Sequence, residues 1–332
     1  MLIVVNDPSQ VSAARRATSS LAREIGFDEE GTSLGALLAT ELATNLMKHG
    51  GGGEILLDRY QDAGRTGLQL LAMDKGPGIA DLAKAMQDGY STAGGMGGGL
   101  GAIRRQADDF AFYSRPGLGT AVMVRLHDRS RPAPASPLGS AVVLGAAAAP
   151  LTGETLSGDD WAFAAASPGP TLMSVDGSGH GSYANAAALA AVTAFQSNAE
   201  RECPRLVELI DMAMRPTRGG AVAVARLDRP SGLVRFVGVG NIVAVLLSEG
   251  KQQRMVSHNG VLGHAVPRIR EFTYPFVGVA TVILHSDGLS PRWDLASYPG
   301  LAVSHPTLIA AVLFRDHRRG RDDASVVVMR GS

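Results

Sequence analysis

The sequence has a single cysteine, few aromatic residues and no net charge, and each of these features argues against a class of protein. Cys203 cannot form an internal disulfide, which fits a reducing compartment and predicts a cytoplasmic location. A net charge of +0 and an aromatic content of 5% argue against nucleic-acid binding, which favours basic patches and stacking platforms. No apolar run reaches the roughly 18 residues of a membrane span, and no signal peptide is evident. We therefore expect neither nucleic acid nor membrane as a partner.

A glycine-rich stretch between residues 74 and 101 is the first chemical signal. Asp74 follows the apolar strand predicted at 68–73 and opens the sequence Asp-Lys-Gly-Pro-Gly-Ile, and residues 94–101 contain six glycines in eight positions. Backbone N–H groups in such a run can approach phosphate oxygens, and the helix predicted after it would direct its N-terminus to the same place. The alternative is a flexible surface loop. A Walker-type loop is excluded, because no Gly-Lys-Ser/Thr follows the glycines.

A polar row lies on the helix predicted over residues 28–49. Glu41, Asn45 and Lys48 recur at i, i+4 and i+7, beside a face of leucines. A carboxylate, an amide and an ammonium group stacked in this way suit a metal–phosphate site, where Glu acts as a base, Asn as a Mg²⁺ ligand and Lys as a phosphate partner. The alternative is a solvated polar face.

Four motifs in the first half resemble the N, G1, G2 and G3 boxes of GHKL ATPases. They are Glu41-x-x-x-Asn45-x-x-Lys48-His49, Asp74-x-Gly76-x-Gly78, Gly97-x-Gly99-x-Gly101 and Gly119-Thr120. Within that superfamily, residues 1–127 most resemble the RsbT-type serine kinases and anti-sigma factors of bacterial stress modules. The resemblance implies an α+β fold of the GHKL (Bergerat) sandwich type that binds ATP and Mg²⁺.

The resemblance also implies roles for individual residues. Asp74 would bond the adenine amino group with help from Thr120. Asn45 would hold Mg²⁺ against the phosphates, and Glu41 would be the catalytic base that activates a serine hydroxyl. The other implied nucleotide contacts are Lys48, Gly76, Gly78, Gly97, Gly99, Leu100 and Gly101.

A proline-rich stretch over residues 128–140 has the composition of a linker and separates a first domain, 1–127, from a second, 141–332. The second half shows early strands, two helices, then many strands in series. This order predicts a helix-flanked β-sandwich.

Four acidic residues of the second half lie at predicted strand ends, beside Gly or another Asp. They are Asp159, Asp176, Asp287 and Asp322. Acids placed in this way can converge in a folded sheet, and their oxygen atoms suit Mg²⁺ or Mn²⁺. Two such ions could activate a water and clamp a phosphoryl group. For any single Asp-Gly pair the alternative is a simple turn.

The second half resembles the metal-dependent type 2C (PPM) serine/threonine phosphatases, in the branch that includes SpoIIE and RsbX. The motifs are Gly158-Asp159, Ser174-Val175-Asp176-Gly177-x-Gly179-His180-Gly181, Gly238-Val-Gly240-Asn241, His285-Ser286-Asp287-Gly288 and Asp322-Asp323-Ala-Ser. The resemblance implies an α-β-β-α sandwich in which Asp176 is catalytic and bridges two metals. Asp159, Asp287, Asp322 and the Gly177 carbonyl would complete the metal shells.

Two details of this half stay open. Asp160 and Asp323 adjoin two of the predicted ligands, so the register of both acidic doublets is undecided. No arginine near the start of this half offers an obvious grip on phosphate. His180 and Asn241 are assigned capping, packing or turn roles.

Together the two resemblances imply an enzyme, a bifunctional regulator of a partner-switching or stressosome module. It would phosphorylate Ser/Thr of a STAS-domain protein with one domain and dephosphorylate it with the other, using ATP, Mg²⁺ and Mn²⁺. One alternative is a phosphatase whose first domain senses ATP. Another is a first domain that only binds a STAS protein, a sigma factor or another regulator. A homodimer is a further expectation, since relatives of the first domain often dimerise.

Overall fold

The computed structural model describes residues 1–62, 65–81, 86, 99–128, 142–165, 167–264 and 268–332. The chain divides into two compact units. The first comprises Met1–Pro137 and Tyr298–Arg315, and the second comprises Leu138–Ser297 and Asp316–Ser332. Of the predicted linker 128–140, only Asp128 is among the described residues, so that boundary stays a prediction.

The first unit contains one antiparallel sheet with helices on one face. Its elements in chain order are β1 (Leu2–Val5), α1 (Pro8–Ile25), α2 (Glu29–Asn45), β2 (Gly53–Asp62), β3 (Arg65–Asp74), α3 (Leu100–Gln106), β4 (Asp109–Ser114) and β5 (Thr120–His127). The strand order is β1-β2-β3-β5-β4. Leu38 and Leu42 of α2 pack in one buried cluster with Leu68 and Leu70 of β3. This is the helix-on-sheet layer that the sequence predicts.

The helix predicted over residues 28–49 ends earlier as an α-helix than the pattern indicates. Asp28 caps it by accepting a hydrogen bond from the Gly31 N–H (2.7 Å), but the α-helical pairing stops at Asn45. Residues Leu46–Gly50 form a π-helical turn that ends at the left-handed Gly51. Single π turns widen the helix, and they are frequent at functional sites. Lys48 lies in this turn, off the regular i+7 position.

The segment Tyr298–Arg315 groups with the first unit, although the sequence analysis assigns it to the second domain. Arg125 of β5 connects them, because its Nη2 donates to Thr307 Oγ1 (3.1 Å) and its Nε to Gln69 Oε1 (2.8 Å). Thr307 belongs to helix α6 (Pro306–His317), whose residues 306–315 are all buried. Because α6 is apolar on every face, its sequence pattern does not indicate which unit it contacts.

The second unit is the helix-flanked antiparallel sandwich that the sequence predicts. Its other elements are β6 (Val142–Ala149), β7 (Asp159–Ala164), β8 (Thr171–Gly177), α4 (Ser182–Asn198), α5 (Cys203–Met214), β9 (Gly220–Asp228), β10 (Leu233–Val239), β11 (Val243–Ser248), β12 (Lys251–Met255), β13 (Phe272–Pro275), β14 (Ala280–His285) and β15 (Ala324–Gly331). One sheet has the order β13-β10-β9-β8-β7 and the other β12-β11-β14-β15-β6. A buried cluster containing Leu172, Phe236, Leu284 and Val327 joins the two sheets.

Helices α4 and α5 pack on the outer face of the first sheet, against alternate residues such as Met173 and Val175. Cys203 is buried in this layer, and burial raises its thiol pKa to about 12, as expected for a structural cysteine. Strand β12, which the sequence analysis does not predict, has the polar sequence Lys-Gln-Gln-Arg-Met and forms a sheet edge through pairing with β11. Among the described helices, none is both long and apolar enough to cross a membrane.

Candidate functional sites

The first candidate site surrounds Asp74, the last residue of β3. Asp74 lies across from Thr120, the first residue of β5. Its Oδ1 accepts hydrogen bonds from the backbone N–H groups of Gly76 (2.9 Å) and Thr120 (3.2 Å). Within the described residues no hydrogen bond reaches Oδ2, so this oxygen is available to a ligand amino group. Burial raises the pKa of the Asp74 carboxyl, and the Gly76 N–H opposes that shift.

Two close backbone approaches beside Asp74 require glycine. A Cβ atom on Gly76 would lie 2.8 Å from the Gly50 carbonyl oxygen, so the end of the π turn reaches the loop after β3. Gly78 has a positive φ of 71°, and a Cβ atom there would lie 2.0 Å from the Arg115 carbonyl oxygen. The N-box helix and the Asp74 loop, which are separate in sequence, therefore meet in the fold.

Glu41 and Asn45 project from the same face of α2, four residues apart, and both are half-buried. Neighbouring threonines of this helix bond back to its carbonyls, as Thr44 does to Thr40 (2.7 Å). Glu41 and Asn45, in contrast, make no hydrogen bond or ion pair with any residue that the structure describes. Lys48 is exposed in the π turn. A half-buried carboxylate and amide without protein partners are free to bind a ligand.

The glycine-rich run at residues 94–101 is described only from Gly99 onward. Gly99 caps α3, and Leu100 and Gly101 are buried in its first turn. Gly97 lies outside the described residues. Thr120 is buried, and its hydroxyl lies 3.0 Å from Ser114 Oγ, which also accepts the Ile79 N–H (2.8 Å). The sequence does not indicate Ser114 as a site residue, because a serine at a strand end has no pattern that sets it apart from other serines.

Arg315 is a second residue that sequence analysis missed at this site. Its guanidinium is buried and donates to the backbone carbonyls of Asp74 (2.8 Å) and Leu118 (2.8 Å), with a longer contact to Thr120 (3.4 Å). It therefore ties the end of β3 to the start of β5, where the predicted adenine contacts lie. An arginine at the end of an apolar helix gives no local signal of this contact.

We expect Arg315→Ala to weaken ATP binding by about tenfold, because the carbonyls of Asp74 and Leu118 would lose their charged donor. Arg315→Lys keeps the charge but lacks the planar fork, so it should fall between Arg315→Ala and wild type. Isothermal titration of the full-length chain with ATP measures both. Thermal melts establish that the variants are folded, and wild-type affinity in folded Arg315→Ala would contradict this role.

The second candidate site lies at one end of the sandwich. Asp159, the first residue of β7, is the direct cross-strand neighbour of Asp176 on β8. Asp176 alternates with Leu172 of the inter-sheet cluster, so both acids face the space between the sheets. Burial and the charge of Asp176 raise the pKa of Asp159 well above its usual range. The buried Oδ2 of Asp159 has no hydrogen-bond partner among the described residues.

The second sheet brings Asp287 and Asp322 to the same end. Asp287 follows β14 and Asp322 precedes β15, and these two strands are antiparallel neighbours. Burial and the charges of Asp287 and Asp322 raise the pKa of Asp176 to about 7. Burial also raises the pKa of Asp322. Asp176 therefore lies close enough to Asp159, Asp287 and Asp322 for their charges to interact.

This donor set fits divalent cations, because a buried carboxylate oxygen without a partner and several repelling carboxylates are what a cation would satisfy. No group of three or more acidic, His or Cys side chains in the described part of the chain already surrounds one point closely enough to hold a metal.

Hydrogen bonding distinguishes the residues of the second acidic doublet. Asp323 is buried, and its two oxygens accept the backbone N–H groups of Leu151 (2.7 Å) and Gly158 (2.6 Å). Its carboxylate thus holds two loops in place. Asp322 is exposed, and its carboxylate accepts only the Asp323 N–H (2.9 Å) among the described hydrogen bonds. Asp322 remains the candidate ligand.

In the first doublet the β alternation separates the two acids. Asp159 pairs with Asp176, whereas Asp160 pairs with Val175, whose side chain packs under the helices. Asp160 also accepts the Trp161 N–H (2.8 Å). Gly177, the predicted carbonyl ligand, donates its N–H to the Gly158 carbonyl (3.0 Å), which fixes the loop after Asp176.

Asn241 binds one of the predicted ligands directly, although the sequence analysis assigns it only a turn. Its Nδ2 donates to Asp287 Oδ2 (2.7 Å). Partners of this kind orient metal ligands, and losing one typically weakens metal affinity 10–100-fold. We expect Asn241→Ala to raise the Mn²⁺ concentration for half-maximal activity by about tenfold, with little change at saturating Mn²⁺. A metal titration measures it, and an unchanged midpoint would contradict this orienting role.

These geometries define two classes of domain: a GHKL-type nucleotide-binding domain and a PPM-type phosphatase sandwich. Residues 4–126 match the family model of the histidine kinase-like ATPase domain, and residues 170–331 match that of stage II sporulation protein E (SpoIIE). Over 112 residues the chain is 38% identical to the serine/threonine-protein kinase RsbT of Bacillus subtilis (strain 168), covering 34% of this chain and 84% of RsbT. The chain belongs to the RsbT family through its N-terminal part and joins to it a SpoIIE domain.

Two solved structures share the fold of the C-terminal part. One, described as "The bacterial stressosome: a modular system that has been adapted to control secondary messenger signaling", is 26% identical, with a TM-score of 0.53 over 57% of this chain and 98% of its own. The other, RsbX in complex with magnesium, is 20% identical, with a TM-score of 0.52 over 59% of this chain and 98% of its own. Both predicted fold classes and both predicted enzyme classes, a protein kinase and a PPM phosphatase, are confirmed at the level of family.

Proposed function

We propose that this chain is a bifunctional regulator that both adds phosphate to, and removes it from, a serine or threonine of a STAS-domain protein in the cytoplasm. The observation that carries the proposal is that one polypeptide holds two sites of opposite chemistry. Glu41 and Asn45, which have no partner among the described residues, lie in the nucleotide domain, and the carboxylates around Asp176 lie in the sandwich. Fusion raises the local concentration of each activity at a shared partner.

In the kinase direction, the free Oδ2 of Asp74 accepts the adenine amino group. Asn45 would hold Mg²⁺ against the phosphates through its amide oxygen. Glu41, one turn earlier on the same helix face, accepts the proton of the attacking hydroxyl, which makes that oxygen a better nucleophile for the γ-phosphoryl group of ATP. The Glu41 side chain is only half-buried, which leaves its carboxylate accessible to a protein substrate.

In the phosphatase direction, Asp159, Asp176, Asp287, Asp322 and the Gly177 carbonyl would hold two Mg²⁺ or Mn²⁺ ions. When bound, such ions supply an activated water and neutralise charge on the phosphoryl group. The chain's own residues position that chemistry. Asn241 orients Asp287, and Asp323 fixes the loops at Leu151 and Gly158 beside the site.

The STAS partner follows from two likenesses. One relative is the serine/threonine kinase RsbT, and one structural neighbour is described as belonging to the bacterial stressosome. The resemblances in the sequence imply STAS-domain substrates for both halves. We therefore infer a partner-switching module in which the phosphorylation state of one STAS protein reports the balance of the two sites.

A phosphorylation time course tests the proposal. Full-length protein is incubated with each STAS-domain protein of the same genome, ATP and either Mg²⁺ or Mn²⁺, and phosphate on the partner is followed by intact mass. We expect phosphate to appear, then to fall once ATP is exhausted. If wild type removes phosphate from a pre-phosphorylated partner while no condition ever adds it, the first domain is a nucleotide sensor or a binding module, and the bifunctional proposal fails.

A further inference from the structure

Arg218 lies beside the loop that follows the predicted bridging ligand Asp176, and it has no ion pair among the described residues. This loop, residues 177–181, follows Asp176, and its Ser178 N–H donates to the Gly219 carbonyl (2.9 Å). Gly177 also lies directly across from Gly220 in the sheet. Arg218 therefore directly precedes Gly219, whose backbone is hydrogen-bonded to the loop.

The Arg218 guanidinium lies over the loop itself. A Cβ atom on Gly179 would be 3.3 Å from Arg218 Nη1, and the Arg218 Cζ stands 4.5 Å from the centre of the Tyr183 ring. Tyr183, in the first turn of α4, is 66% exposed. An aromatic face of this kind supports a guanidinium while leaving its N–H groups free, since the contact is to the π face.

Within the described residues Arg218 also lacks a carboxylate partner, unlike two other basic side chains nearby. Within the described residues its guanidinium makes no ion pair or side-chain hydrogen bond. Arg215 nearby pairs with Asp211 (3.4 Å), and the loop's own His180 contacts Glu154 through Nδ1 (3.0 Å). A guanidinium that lies over the loop after Asp176 and has no carboxylate partner among the described residues is thus available to an anionic ligand.

The backbone at this position is fixed. Gly219 has a positive φ of 68°, and a Cβ atom there would lie 2.2 Å from the Leu262 carbonyl oxygen, so the turn requires glycine. The Arg218 carbonyl accepts a hydrogen bond from His264 Nε2 (2.9 Å). A fixed backbone and a stacked side chain lower the entropy lost when the guanidinium binds a ligand.

We propose that Arg218 binds the phosphoryl group of the phosphoserine or phosphothreonine substrate at the rim of the acidic site. The inference rests on the proposed phosphatase function. It identifies a phosphate-binding arginine, which the sequence does not show near the start of the second half. A phosphate monoester dianion is repelled by the carboxylates wherever the metals do not neutralise them. The planar donors of an arginine match two phosphate oxygens and offset that repulsion.

Steady-state kinetics of the full-length, Mn²⁺-saturated chain test the proposal, with p-nitrophenyl phosphate as substrate and inorganic phosphate as competitive inhibitor. We expect Arg218→Ala to raise KM and the inhibition constant of phosphate about tenfold, while kcat changes less than about threefold. Arg218→Lys should recover part of the loss, since it keeps the charge without the fork. The matched control is Arg215→Ala, which removes an exposed, ion-paired arginine and should behave as wild type.

Calorimetric titration of inorganic phosphate into the Mn²⁺-loaded protein separates this proposal from the function on which it rests. If wild type binds phosphate without turning over any substrate, the phosphatase function fails, while a tenfold weaker affinity in Arg218→Ala still supports the anion site. If wild type is an active phosphatase, and Arg218→Ala keeps wild-type KM and wild-type phosphate affinity, the Arg218 proposal is overturned.

Discussion

Asp176→Asn is expected to lower phosphatase activity about a thousandfold or more while ATP-dependent phosphorylation continues. The substitution removes the charge that would bridge two cations, and that pair supplies most of the activation of water and phosphoryl group. Phosphate should therefore accumulate on the STAS partner, because addition proceeds without removal. The measurement is the rate of phosphate loss from a pre-phosphorylated partner, together with the net time course in ATP.

Asp160→Asn is the matched control for this prediction. It alters an adjacent acid that pairs with Val175 and bonds the Trp161 N–H rather than facing Asp176. We expect it to keep phosphatase activity within about threefold of wild type. Comparable activity loss in both variants would place the bridging role elsewhere in the acidic cluster or point to general damage.

Asp176→Asn can also be tested through the thermal stability of the metal-free protein. Burial and the charges of Asp287 and Asp322 raise the Asp176 pKa to about 7, so its ionised form is disfavoured in the folded state. The resulting loss of stability grows as the pH rises from about 4 and is fully present above 7. At pH 8 in a chelator, Asp176→Asn should therefore unfold about 3 °C or more above wild type, and the gap should shrink as the pH falls. Added Mn²⁺ should stabilise wild type but not the variant.

Glu41→Ala is expected to abolish phosphate addition, by roughly 10²- to 10⁴-fold, with ATP affinity and phosphatase activity retained. A positioned general base typically accelerates a reaction by about 10²- to 10⁴-fold. Glu41 lies one helical turn before Asn45, and its carboxylate has no partner among the described residues. Phosphorylation rate, ATP titration and dephosphorylation rate are measured on the same preparation. Loss of phosphorylation alone identifies Glu41 as a base. Loss of ATP affinity as well would identify it as a binding residue.

Glu30→Ala serves as the control for Glu41, since it removes an exposed carboxylate from the first turn of the same helix. It weakens a helix-dipole interaction of about 0.3–1 kcal/mol and touches no predicted nucleotide contact. Phosphorylation should stay close to wild type. If Glu41→Ala phosphorylates the partner as fast as Glu30→Ala, the base is another residue or the domain is not a kinase.

Local sequence patterns predict most of the helices and strands of the fold. The short apolar strands and the turn signals beside them predict that Asp159 and Asp176 lie at strand ends, because strand ends and sharp turns are properties of short segments. Helix α4 begins and ends at Ser182 and Asn198, the bounds that its pattern predicts. The π turn after Asn45 does not follow from the pattern, and its last residue, Gly50, lies against the distant Asp74 loop.

The sequence by itself determined the two domain types, the strand-end acids and the Glu41–Asn45 face, because each depends on spacing within one element or on a motif read in order. Tertiary structure alone decided what each polar group binds. Arg315 reaches the Asp74 carbonyl across 241 residues, Asn241 reaches Asp287, and Arg218 stands over Gly179. Such contacts depend on how distant segments pack, and hydrogen-bond geometry that is sensitive to tenths of an ångström leaves no trace in local composition.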